Sequence, residues 1–176
     1  MDNEFKPCSC ENCEFREVVF STLDEDKILE LCRFKEEHAY RKGEIINHEG
    51  ERITDFKYLK SGLVKLYRRT SDGDEQVITI TRPFEFVSNL SIFSEDKYKY
   101  SVSALEDSVV CSVRLDFIRE LFLKNGEFAI SLMTRISKIN DKIISQTLDI
   151  RLKNLAGRVA FVLLYFTNDI YKSRVF

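Results

Sequence analysis

Residues 8–13 read CSCENC, placing three of the five cysteines within six positions. Thiolates are nucleophiles and soft metal ligands, and the Cys10-x-x-Cys13 spacing serves both metal binding and thiol exchange. Three readings stay open for Cys8, Cys10 and Cys13: metal ligands, a redox device, or idle thiols on an N-terminal arm. Cys32 falls on an apolar helix face and reads as a small core residue. Cys111 ends the β-branched run SVVC. In a reducing compartment five cysteines do not make a disulfide framework. The only histidines, His38 and His48, are tied by no motif to a nucleophile. A glycine-rich phosphate loop and an H-E-x-x-H helix are both absent, so the chain is not expected to be an enzyme.

Three zones must position these residues. Residues 1–19 form the cysteine-bearing arm. Residues 20–126 open on a helix, TLDEDKILELCRF, with Thr22 and Glu25 at capping-box spacing and Ile28 and Leu31 on its apolar face. They then change to short runs rich in β-branched and aromatic residues: EIINHEG, DFKYLKSG, LVKLYRRT, QVITITR, YKYSVSAL and SVVCSV. Gly50, Ser61-Gly62 and the SDGD at 71–74 punctuate them as turns. Such spacing predicts an α+β chain built on a small antiparallel roll, not a parallel sheet.

Residues 127–151 are helical, with Leu132, Ile136, Ile139 and Ile143 in steps of 4, 3 and 4, and Gln146 at the skipped seam position before Ile150. That spacing predicts a coiled-coil dimer seam, with Gln146 fixing register. The competing reading packs the stripe on the chain's own domain. Residues 152–176 begin a second apolar helix. With 44% hydrophobic residues the chain fills one ordinary core, and a net charge of −2 gives no basic field for nucleic acid or anionic lipid. The N-terminus lacks an apolar signal core, and VAFVLLYF at 159–166 falls far short of the roughly 20 residues of a membrane span. A cytoplasmic protein without a membrane partner is expected.

The arm, roll and long helix together resemble the CRP/FNR transcriptional regulators. RKGEIINHEGE is similar to that family's opening strand and turn, YLKSGLVKLY to its strand–turn–strand, and SDGDEQVITITRPFEFV to the next hairpin. SALEDSVVCSVRLDFIREL resembles the last roll strand and its exit into helix. The resemblance covers roughly residues 20–170. It implies a cyclic-nucleotide-binding-like β-roll (a double-stranded β-helix) flanked by helices, and a homodimer held by the C-terminal dimerisation helix. It also implies that residues 152–176 are the start of a truncated winged-helix DNA-binding domain, that DNA contact needs the rest of that domain, and that RNA polymerase is a partner of the full-length regulator. The alternative is a stand-alone small-ligand, redox or metal-binding module.

The resemblance places an effector pocket at Phe86, Ser88, Asn89, Lys99 and Ser101. Ser88 and Asn89 stand where the cyclic-nucleotide branch has Gly-Glu, and Tyr98 and Lys99 stand about where it has Arg-Ser. Without the ribose carboxylate and the phosphate arginine, cyclic AMP is not the expected ligand. Side chains such as Phe86 and Tyr100 fill the pocket instead. The oxygen-sensing branch implies an iron–sulfur cluster held by Cys8, Cys10, Cys13 and Cys111. The same four thiolates suit zinc. Cys8 would replace a later cysteine of that branch, where this chain reads EFREVVF.

Overall fold

The computed structural model describes residues 20–88 and 90–171. They divide into two compact units, one ending at Ile136 and the other starting at Ser137. The first unit opens with helix α1, Glu25–Arg33, which buries Ile28 and Leu31. Its N-cap is Asp24, not Thr22, because the Leu23 N–H already closes a turn onto the Phe20 carbonyl. The Thr22 hydroxyl is left buried without a hydrogen bond. Cys32 is half-buried and disulfide-bonded, so it is not the small core filler expected.

Seven strands follow: β1 Lys35–Tyr40, β2 Ile45–Asn47, β3 Asp55–Ser61, β4 Val64–Arg69, β5 Glu75–Thr81, β6 Ser101–Ala104 and β7 Ser108–Arg114. They form two antiparallel sheets, ordered β1-β7-β3 and β2-β6-β4-β5. Alternation puts Leu59 and Val110 into an inner core with Ile46, Val64, Leu66, Val87, Val102 and Ala104. The opposite face of the first sheet buries Phe56, Tyr58, Cys111 and Val113. Strand β3 thus buries side chains on both of its faces, Leu59 on one and Phe56 and Tyr58 on the other.

Helix α2, Leu115–Lys124, leaves β7 directly and buries Leu115, Ile118 and Leu121. Asn125 then starts the long helix α3, Gly126–Arg151, its Oδ1 accepting the Phe128 N–H at 2.9 Å. In the second unit, α4, Leu155–Tyr165, is capped by Asn154, which accepts the Gly157 N–H at 2.9 Å. A five-residue π-turn, Phe166–Ile170, follows, and Asp169 there pairs with Lys142 at 2.9 Å. Helix α4 buries none of its residues. Among the described residues no helix is long and apolar enough to cross a membrane.

Candidate functional site

The segment that leaves β5 is bent back on itself and tied to α3. Phe84 has φ 68°, the one non-glycine residue with positive φ among those described. Such a conformation costs about 1–3 kcal/mol and persists only where its surroundings hold it. Here the Phe84 N–H donates to the Leu59 carbonyl at 2.8 Å, and Arg135 Nη2 of α3 donates to the Phe84 carbonyl at 2.8 Å. The Arg135 guanidinium also lies over the Phe86 ring, 5.9 Å from its centroid. Burial lowers the Arg135 pKa, and the Glu85 carboxylate opposes that shift. Phe86 in turn packs on Phe56, with ring centroids 5.0 Å apart, and bridges Tyr58. One side chain on α3 therefore grips the loop that carries Phe86 and Ser88 of the expected pocket. Sequence reading missed Arg135, since nothing in its neighbours marks it.

The expected pocket residues do not converge. Phe86 and Ser88 are buried beside β3, and Asn89 lies outside the described residues. Lys99 lines a cavity of about 460 Å³ with Glu49, Arg68, Lys97, Tyr98 and Tyr100. Ser101 sits at the same end, where its Oγ accepts the Glu49 N–H at 2.9 Å. Lys99 pairs with Glu95 at 2.6 Å, which raises its pKa, and Arg68 pairs with Glu49 at 3.4 Å. Two of the cavity's cations are thus already matched by carboxylates. Tyr98 is buried, and Tyr100 packs on the inner core. A second hollow of about 470 Å³ offsets Arg52, Arg114 and Arg119 with Asp55, Glu95, Asp96 and Asp116, so it has no net pull on an anion.

Cys8, Cys10 and Cys13 lie outside the described residues, so of the expected thiol set only Cys111 is placed. It is fully buried, and its thiol donates to Glu37 Oε1 at 3.7 Å. Glu37 also takes the Lys60 ammonium at 2.8 Å, and the buried Lys35 ammonium lies 3.8 Å away. Among the described residues no three His, Cys, Asp or Glu side chains gather to hold a metal. What surrounds Cys111 is a carboxylate with two ammonium groups. With the other three thiols outside the described residues, no metal chemistry is assigned to Cys111.

On α3, Leu132 and Ile143 of the expected seam are buried, while Ile136, Ile139 and Gln146 are half-buried. The side chains left exposed lie on another stripe: Ile130, Met133, Ser137, Asp141, Ile144 and Leu148, in steps of 3, 4, 4, 3 and 4. The four apolar members are between 55% and 69% exposed. At 3.6 residues per turn the two stripes are about 130° apart. The helix therefore has two apolar faces, and one is uncovered.

Residues 37–125 match the family model described as Cyclic nucleotide-binding domain. An anaerobic regulatory protein of Bacillus subtilis is 26% identical over 138 residues, covering 78% of this chain and 56% of that protein. A CRP-like cAMP-activated global transcriptional regulator of Mycobacterium tuberculosis is 25% identical over 149 residues, covering 85% of this chain and 66% of that protein. The chain thus spans little more than half to two thirds of these relatives. The solved sensor domain of the transcriptional regulator DNR from Pseudomonas aeruginosa superposes with a TM-score of 0.63 at 23% identity. That alignment covers 72% of this chain and 85% of that domain. At that identity the likeness concerns the fold alone.

Proposed function

Because the chain belongs to the cyclic nucleotide-binding domain family, we propose that it is the sensing and dimerising part of a CRP/FNR-type transcriptional regulator. The observation that carries this reading is the Arg135 latch. A change in the loop at 82–92 alters what Arg135 holds, and Arg135 sits on the helix that presents an uncovered apolar stripe. A second copy covers that stripe, so the state of the roll bears on the dimer interface through the helix that carries Arg135. DNA is contacted through parts of the regulator other than these residues, and RNA polymerase is a partner of the whole regulator.

Cyclic AMP is not the signal in this reading. Tyr98, at about the position of the phosphate arginine, is buried, and Lys99 beside it is engaged by Glu95. Titration calorimetry with cyclic AMP is expected to show no micromolar binding.

The test of the reading is sedimentation of the chain over a wide concentration range, together with fluorescence anisotropy on duplex DNA. The chain is expected to form dimers. It is expected to bind DNA only weakly and without sequence preference, since its net charge of −2 releases few counterions. A strictly monomeric chain, or tight sequence-selective DNA binding by it, overturns the reading.

A further inference from the structure

Inside the roll, at the polar end of the inner core, Lys57 of β3 and Asn47 of β2 meet. Lys57 lies two residues from Leu59 on the same strand face, and Asn47 follows Ile46. Lys57 Nζ donates to Asn47 Oδ1 at 2.5 Å, and its ammonium lies 5.9 Å from the centroid of the buried Tyr98 ring. Asn47 is fully buried, yet its Nδ2 has no hydrogen-bond partner. The amide orientation is settled by Lys57, because turning it over would aim Nδ2 at an ammonium. Among the described residues no carboxylate lies within ion-pair reach of Lys57. Burial lowers its pKa, and Asp55 and Glu51 oppose that shift only through the field of their charges.

The corner therefore offers the remaining N–H groups of one ammonium and one amide, and no acceptor to match them. The fully buried Asn47 donor without an acceptor costs about 1–3 kcal/mol, and the half-buried Lys57 ammonium beside it has no counter-charge. A water molecule is a poor answer, because it brings two further donors that need acceptors of their own. An anion answers both deficits at once. We propose that Lys57 Nζ and Asn47 Nδ2 form a binding site for one compact monovalent anion inside the roll. A single cation sets the charge at one. The cavities on Lys99 and on Arg52 do not include Lys57 or Asn47 in their linings, so the proposed site is distinct from both, and its two donor groups match an ion of a few atoms. The site involves none of the DNA-binding or dimerising features, so it stands or falls separately from the regulator reading.

The experiment uses the full chain at constant ionic strength, with sodium nitrate replacing sodium gluconate, whose anion is too large to enter. Nitrate is expected to raise the melting temperature along a saturating curve and to shift the Asn47 side-chain amide resonances. Lys57→Met removes the cation and is expected to weaken nitrate binding by about tenfold or more. Asn47→Asp supplies a built-in carboxylate to Lys57 and is expected to abolish the response while the protein stays folded, which keeps the test decisive if Lys57→Met does not fold. No saturable nitrate response in the wild type overturns the proposal. So does an undiminished response in Asn47→Asp.

Discussion

An alanine methyl at position 62 would collide with Ser108 Oγ and stand 2.5 Å from the Asp107 carbonyl oxygen, at a backbone φ of 86°. At Gly73, φ is 89° but nothing lies within 4 Å of the added methyl. Left-handed backbone alone costs an alanine about 1–2 kcal/mol, and overpacking adds about 1–3. Gly73→Ala is therefore expected to cost about 1–2 kcal/mol in denaturant unfolding, and Gly62→Ala about 2–5, with unchanged slopes. Equal costs would mean that the turn at 61–62 yields to the strand beside it. Cys111 poses a different residue-level question. A fully buried thiol that donates to Glu37 reacts only when the strand opens. Peptide mapping after native labelling is expected to find Cys111 modified far more slowly than in the denatured chain. Fast native labelling would show that the β1-β7-β3 sheet opens at its centre.

Among the elements, the loop after β5 depends most on a distant helix. Arg135→Ala removes a charged donor from the Phe84 carbonyl and is expected to cost about 1.5–3 kcal/mol. The amides of Phe84, Glu85 and Val87 bond to Leu59, Arg82 and Lys57, and their hydrogen exchange is expected to accelerate in that variant. Unchanged exchange would show that the bend holds without α3. None of this was legible in the sequence, because a positive φ at a phenylalanine contradicts local preference and is imposed by its surroundings. Strands β3, β4, β5 and β7 were legible, since their branched and aromatic residues cluster between turn glycines. Strand β1 was missed. Its sequence KEEHAY has neither branched residues nor alternation, and it is held as a sheet edge by pairing Lys35 through Tyr40 with β7. The pocket was expected as one cluster, yet Phe86 turns toward β3 while Lys99 and Ser101 lie at the Glu49 end. Register along one chain does not reveal which way a loop folds back. The Lys57–Asn47 corner escaped notice because its two members belong to different strands, ten residues apart.

At the scale of the whole molecule, the proposed dimer turns on which face of α3 it uses. The stripe of Leu132, Ile136, Ile139 and Ile143 is the more continuous in sequence, but its members are buried or half-buried within the chain. The stripe through Ile130, Met133, Ile144 and Leu148 is broken by Ser137 and Asp141, which hid it from a reading by apolar periodicity. Burying each of its large side chains contributes about 1.5–3 kcal/mol before ordering costs, enough in sum to hold a dimer. In the proposed dimer, Ile144→Glu places two charges across the interface from each other. It is expected to weaken dimerisation by well over tenfold and to leave the monomer's melting temperature nearly unchanged, since Ile144 is 58% exposed. Ile143→Glu, one residue away, buries a carboxylate in the chain itself and is expected to lower the melting temperature. Sedimentation and thermal unfolding of the two variants separate the faces. If Ile144→Glu stays dimeric while Ile139→Glu turns monomeric at an unchanged melting temperature, the half-buried stripe is the seam and the exposed one meets something else.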